Sequence, residues 1–336
     1  LASVLGCAMF AAVSGSSLAT AAAMGKLAVP EMLRHKYDPG LATGVVAASG
    51  TLGSLIPPSI LMILYGIFTE ESVGQLLMAG LIPGILSAAI YMAMVWVRAR
   101  ANPEFAPRGE PSNWTEKITS LKGTWSILAL FTIVMGGIYS GIVTPTEAAA
   151  AGAAGAWILG FLAKRLNKDS AKDALVETAR QSANIFALVL GAKIFVGFIA
   201  LTGVAAELTV WAGHLDVPPV MILVSLSVIY IVLGTFMDPL GMMLLTLPVV
   251  TPVIQDLGYD LVWFGVIMVK FLEIGLITPP VGLNVYILKG VVGDAVPLET
   301  IFKGIMWFLA MDIVTLALLI AFPEISLWLP TLLLRS

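Results

Sequence analysis

Two stretches of this chain repeat one pattern 222 residues apart. Pro30, Tyr37, Asp38, Gly53, Pro57 and Pro58 return, without a gap, as Pro252, Tyr259, Asp260, Gly275, Pro279 and Pro280. Each copy reads Tyr-Asp, an apolar helical run, then Gly-x-x-x-Pro-Pro. A constant offset over so many turns of helix marks an internal duplication. The double proline falls inside a run apolar enough to enter a bilayer. Proline removes a backbone donor and clashes with the preceding turn, so two in succession unwind the helix. In lipid the freed backbone groups are tolerated only where protein, water or an ion meets them. Interrupted hydrophobic segments at corresponding positions of two halves point to the binding site of a secondary transporter.

Composition sets the class. Of 336 residues, 59% are hydrophobic and 12% charged, with mean hydropathy +0.97. A soluble domain of this size cannot bury so much apolar surface, so the fold class is an all-α polytopic membrane protein. A net charge of -3 gives no basic surface for nucleic acid, and the single cysteine, Cys7, excludes disulfides and cysteine metal sites. His35 and His214 leave little for zinc. The chain opens at Leu1 in an apolar run with no basic leader. The second repeat unit has three spans ahead of its hairpin, and shifting them back by the offset predicts about 100 further residues before Leu1.

Apolar runs and polar breaks predict short arms at 2–13 and 18–29 around Ser14-Gly15-Ser16-Ser17, a loop at 30–39, and a broken span at 40–69. Spans at 74–97, 122–143, 145–163 and 181–203 follow, with a polar stretch at 98–121 and a basic one at 164–180. A second pair of arms, 217–235 and 239–255, surrounds Gly234 to Pro239; a broken span at 261–288 and a last span at 299–322 complete the map. The arms are shorter than the roughly 20 residues of a crossing, so each pair reads as a re-entrant hairpin. Charge agrees. Arg34, Lys36, Arg98, Arg100, Arg108, Lys117, Lys122, Lys164, Arg165, Lys168, Lys172, Arg180, Lys289 and Lys303 fall on one side. Glu70, Glu71, Glu147, Glu207, Asp216, Asp256 and Asp260 fall on the other. This is a positive-inside split. An odd number of spans separates the hairpins, so they enter from opposite sides and the repeat is inverted. The expected division is 1–69, first hairpin and broken helix; 70–203, scaffold; 204–290, second hairpin and broken helix; 291–336, a C-terminal scaffold helix.

At both breaks, freed carbonyls suit a sodium ion and a half-helix N-terminus suits a carboxylate. The hairpin tips bring Ser14 to Ser17 and Thr20, and Gly234, Thr235 and Asp238, to mid-membrane depth. The serines also suit a small-residue packing face. A carboxylate at that depth costs about 2.5–3.5 kcal/mol on insertion scales, so Asp238 should meet an ion, a cavity or the helix end it caps. Lys270 and Glu273, three apart, read as an ion pair on one helix face. Lys193 reads as a lone buried cation that pairs with an acid or a substrate carboxylate. Asn284 is a ligand or a cap. Thr144-Pro145-Thr146-Glu147 reads as a helix start.

These strings resemble the large membrane subunit of tripartite ATP-independent periplasmic (TRAP) transporters, of the dicarboxylate and sialic acid uptake type. The resemblance rests on Gly15-Ser16-Ser17, Gly50-Thr51-Leu52-Gly53 through Pro57-Pro58-Ser59, and Gly136-Gly137-Ile138-Tyr139-Ser140-Gly141 through Thr144-Pro145-Thr146-Glu147. Gly234 to Asp238, Pro248, Pro252, Gly265-Val266 and Ile277-Thr278-Pro279-Pro280-Val281-Gly282 extend it over the whole chain. It implies an elevator mechanism in the bacterial inner membrane, with sodium-coupled uptake of an organic acid. The implied partners are a small membrane subunit and a periplasmic substrate-binding protein. The implied sodium ligands are Gly15, Ser16, Gly53, Ser54, Gly234, Asp238, Thr278 and Gly282. Ser16, Ser17, Pro57, Pro58, Lys193 and Asn284 are expected at the substrate, with Na+ as coupling ion and no organic cofactor. Where the family often continues Gly-Ser-Ser with Ala-Asp, this chain has Leu18-Ala19-Thr20 and no carboxylate.

Two other readings compete. A sodium–dicarboxylate or citrate-type carrier shares the hairpin plan and works without a binding protein. An intramembrane protease needs a Ser–His pair or two facing acids; both histidines fall in expected loops, and Asp238 has no second aspartate at its depth.

Overall fold

The computed structural model describes residues 1–107, 113, 125–164, 166–214 and 216–334. Arg108, Lys117, Lys122 and Arg165, counted in the charge split above, lie outside these. The described elements are helices: α1 (Ala2–Ser14), α2 (Ser17–Arg34), α3 (Pro39–Gly50), α4 (Leu52–Leu55), α5 (Ile60–Thr69), α6 (Val73–Ala101), α7 (Trp125–Tyr139) and α8 (Pro145–Leu162). Then come α9 (Lys168–Thr202), α10 (Val204–Gly213), α11 (Pro219–Gly234), α12 (Pro239–Asp256), α13 (Leu261–Ile277), α14 (Leu283–Val292), α15 (Leu298–Ala321) and α16 (Glu324–Leu334).

The duplication survives folding. Shifted by 222, α2 becomes 239–256 and the α3–α4 stretch becomes 261–277, the limits of α12 and α13. Local chemistry starts the equivalent helices alike: Asp38 accepts from Leu41 N at 2.8 Å and Asp260 from Trp263 N at 2.8 Å, each capping its helix. Both double prolines stand in the gap after those helices, and the bonds Pro57–Pro58 and Pro279–Pro280 are both cis. Each gap ends in a ten-residue half-helix, α5 or α14.

The broken helices form the centre. Every residue of α13 is buried, and only Pro39 of α3 is not; a helix apolar all round belongs in the interior. The α15 helix crosses α3 where Gly40 and Gly44, one turn apart, face Gly304. Its other end meets α13, through Trp263 Nε1 donating to Leu319 O at 3.0 Å. Gly40 and Trp263, near the starts of the two equivalent helices, therefore sit at opposite ends of α15.

The paired arms fold back on themselves. Ser3 Oγ lies 3.3 Å from Met32 Sδ across α1 and α2, and Tyr230 hydrogen-bonds Thr246 across α11 and α12. By length and apolarity, five described stretches could cross a membrane: Pro39–Thr69, Val73–Ala101, Lys168–Thr202, Pro239–Asp256 and Leu298–Ala321.

Four expectations need correction. The loop predicted at 30–39 is helical to Arg34, because Pro30 lies within α2 without ending it. The basic stretch 164–180 is not a connection: from Lys168 it forms the first turns of α9, which Asn167 caps by accepting from Ser170 N at 2.8 Å. Arg180 accordingly lies inside a helix. The expected loop 204–216 holds α10, because Gly203, at φ +70°, ends α9 and the apolar run restarts at once. After α15 the chain continues into α16, packed on α6. The start read at Thr144 is as expected: Glu147 N donates to Thr144 Oγ1 at 3.3 Å and Thr144 N to Glu147 Oε2 at 2.8 Å, the reciprocal capping box.

Candidate functional site

The first hairpin tip sits directly on the first helix break. Gly15 turns the chain at φ +61°, and a Cβ there would come within 2.6 Å of Pro58 O; the conformation and the space both require glycine. Ile60 N donates to Gly15 O at 3.3 Å. A Cβ on Gly53 would lie 2.8 Å from Ser16 O, so tip backbone and α4 backbone touch. Ser17 Oγ lies 2.6 Å from Ser54 Oγ and 3.2 Å from Thr51 O. Ser59 caps α5 and donates to Ser54 O. Thr20 Oγ1 donates to Ser16 O at 2.8 Å and pairs with Ser14 Oγ at 2.8 Å. Thr20 therefore ties the tip to itself.

The second junction follows the same plan with other groups. A Cβ on Gly275 would come 2.7 Å from Gly234 Cα, so the α11 end lies against α13. Asp238 caps α12, its Oδ2 accepting from Leu240 N at 3.0 Å and Gly241 N at 3.2 Å. The carboxylate is solvent-accessible, so capping leaves it open to the space before the tip. Thr278 Oγ1 donates to Ile274 O at 2.6 Å, and Gly282 takes a positive φ of +59° where α14 begins.

Both junctions meet at one pocket of about 70 Å³, lined by Gly15, Ser16, Ser17 and Leu18, by Ser54, Ile60 and Leu61, by Asp238, Pro239 and Leu240, and by Leu276. Both tips and both broken helices contribute. Beside it opens a cavity of about 950 Å³, where Ser14, Ser16 and Asp238 face Gln181 and Asn184 on α9. Carboxylate, hydroxyl and carbonyl oxygens are hard donors of the kind half-helix ends offer to alkali cations.

The expected residues divide. Gly15, Ser16, Ser17, Ser54 and Asp238 converge on the small pocket; Gly53 and Gly234 form the backbone contacts behind it. Thr278 and Gly282 stand at the second break, outside both cavities. Pro58 reaches Gly15 through its carbonyl, and it also lines a separate apolar cavity with α7 and α8. Asn284 is fully buried and donates to Ala47 O at 3.2 Å, bracing α14 against α3. Lys193 is a correction: it is exposed, not buried, because α9 turns it outward, and its ammonium lies 5.6 Å from the ring centre of Phe68. Gln181 and Asn184 fall inside the span expected at 181–203 but are not among the expected site residues. Their signal was a polar i, i+3 pair at the head of an apolar run.

A family model described as the DctM component of the tripartite ATP-independent periplasmic transporter matches residues 1–325. The chain belongs to this family. This DctM-family permease is 36% identical over 332 residues to the C4-dicarboxylate TRAP transporter large permease protein DctM of Pseudomonas aeruginosa, covering 98% of this chain and 77% of that protein. It is 33% identical over 326 residues to the sialic acid TRAP transporter large permease protein SiaM of Vibrio cholerae, covering 96% and 75%. It is 34% identical over 332 residues to the isethionate TRAP transporter permease protein DctMQ of Oleidesulfovibrio alaskensis, covering 98% of this chain and 51% of that protein. Membership in a transporter family, with several helices apolar enough to cross a bilayer, makes it a multi-pass membrane protein.

Proposed function

We propose that this DctM-family permease is the membrane-embedded carrier of a sodium-coupled organic acid importer of the bacterial inner membrane. The observation that carries the reading is the pocket of about 70 Å³ to which both tips and both broken helices contribute. Sodium would be held by the oxygens at the first tip and break, around Ser16, Ser17 and Ser54, and at the second tip by Asp238. Thr278 and Gly282 would act at the second break. The acid would occupy the adjoining cavity of about 950 Å³, reached by the tip hydroxyls and by Gln181 and Asn184. C4-dicarboxylates, sialic acid and isethionate, the compounds in the relatives' names, are the first candidates. A periplasmic binding protein would deliver the acid, and a small membrane subunit would complete the scaffold.

An elevator fits this geometry. Equivalent helices start at opposite ends of α15, as an inverted repeat across the bilayer requires. We assign α6 and α15 to the moving unit with the hairpins and broken helices, because both pack on α13 and share buried polar contacts with it. This replaces the expected scaffold role of the C-terminal span. Two sodium ions with a monoanion would carry one net charge inward, gaining about 2.3 kcal/mol per 100 mV.

The decisive experiment is uptake of labelled succinate, N-acetylneuraminate and isethionate into proteoliposomes holding the permease and small subunit, with and without binding protein. Uptake of one acid is expected to need the binding protein and to fall to background when choline replaces sodium. Persistence without sodium sinks the coupling; uptake without the binding protein selects the citrate-type carrier instead. Asp238→Asn is expected to lower uptake at limiting sodium by about tenfold, a loss near 1.4 kcal/mol. Gly53→Ala should separate tip from break and reduce transport more than melting temperature; wild-type rates in that variant would remove the tip–break contact from the mechanism.

A further inference from the structure

One group of buried ionisable side chains lies outside both the small pocket and the adjoining cavity. Lys270 and Glu273 lie one turn apart on α13, Asp312 lies on α15, and Ser87 and Tyr91 lie on α6; all five are fully buried. The Lys270 ammonium donates to Asp312 Oδ1 at 2.6 Å, to Glu273 Oε2 at 3.2 Å and to Ser87 Oγ at 3.5 Å. The Tyr91 hydroxyl adds a second bond to Asp312 Oδ1 at 2.6 Å. Thr51 faces the tyrosine hydroxyl from the α3–α4 junction, and Tyr230 on α11 stacks on the neighbouring Phe271. Among the described residues, Glu273 Oε1 and Asp312 Oδ2 meet no partner.

One cation stands here against two acids. With both ionised, the cluster would hold an uncompensated negative charge at the centre of a membrane protein, where desolvation is severe. A single proton removes that charge. The two acids are not equivalent. Asp312 accepts two short bonds from donors, as a carboxylate does. Glu273 accepts one longer bond, from the Lys270 ammonium alone. We propose that Glu273 carries a bound proton at neutral pH, making the cluster a neutral Lys270–Asp312 pair beside a carboxylic acid. The proton belongs on Oε1, the Glu273 oxygen that accepts no bond. This is a proton-binding site on α13, distinct from the oxygens proposed for sodium.

Infrared spectroscopy of the purified full-length chain tests it. A protonated carboxyl gives a C=O band well above the carboxylate stretches, and ¹³C-labelled glutamate shifts that band if a glutamic acid is its source. The expected result at neutral pH is a label-shifted acid band that Glu273→Gln abolishes. Glu273→Gln, isosteric with the neutral acid, should also melt with the wild type. No label-shifted acid band, or one that persists in Glu273→Gln, overturns the proposal. Labelling needs no variant, so the test survives a misfolded mutant: Glu273 is the one fully buried glutamate among the described residues.

Discussion

Exchanging Lys270 for methionine is expected to destabilise the protein by about 3–5 kcal/mol, the usual result of removing one partner from a buried pair. The lysine donates three bonds inside a fully buried cluster that ties α13 to α6 and α15. Methionine fills most of the volume but leaves Asp312 ionised with only the Tyr91 hydroxyl. The loss should appear as early thermal unfolding of the purified protein in detergent. The double variant Lys270→Met with Asp312→Asn removes the charge on both sides. It should recover much of the loss, because replacing a whole buried pair by neutral groups is often close to neutral. Equal melting of Lys270→Met and wild type would mean that the cluster does not bind the central helices together.

The second large effect is steric. Gly40 and Gly44 face Gly304 where α3 and α15 cross, the small-residue spacing that lets backbones approach in membranes. A Cβ on Gly304 would run into the carbonyl of Gly40, and one on Gly44 would lie 2.7 Å from Gly304 C. The obstacle is backbone on both sides, so no rotamer change relieves it. Gly304→Ala is expected to push the helices apart at a cost of about 1–3 kcal/mol or more, the range for overpacked cores. Gly290 provides the control, since a Cβ there meets nothing within 4 Å. Gly290→Ala should melt with the wild type. Equal melting of Gly304→Ala and Gly290→Ala would show that α3 and α15 do not rely on close approach.

The duplication, the paired double-proline breaks and the hairpin tips were legible in the residue order. Each rests on local chemistry: proline cannot donate a backbone bond, glycine alone takes Gly15's φ at that contact, and aspartate before a helix caps it. The Lys270–Glu273 pair was legible too, since helical spacing alone brings such residues together. Asp312 was not, because 42 residues separate it from Lys270 and only the crossing of α15 over the broken helices closes that distance. That Gln181 and Asn184 face the cavity was not legible, because it depends on how α9 packs beside the tips, and Lys193 faces outward although it is a lone cation in an apolar run. The amino-acid order by itself determined where the two central helices break and that they come in two copies. The tertiary structure alone decided which faces meet: that both tips converge on one pocket, that Asn284 braces α3, and that three helices share one buried charge cluster. Backbone preferences act within a turn of their residue, whereas those contacts depend on how helices far apart in sequence cross.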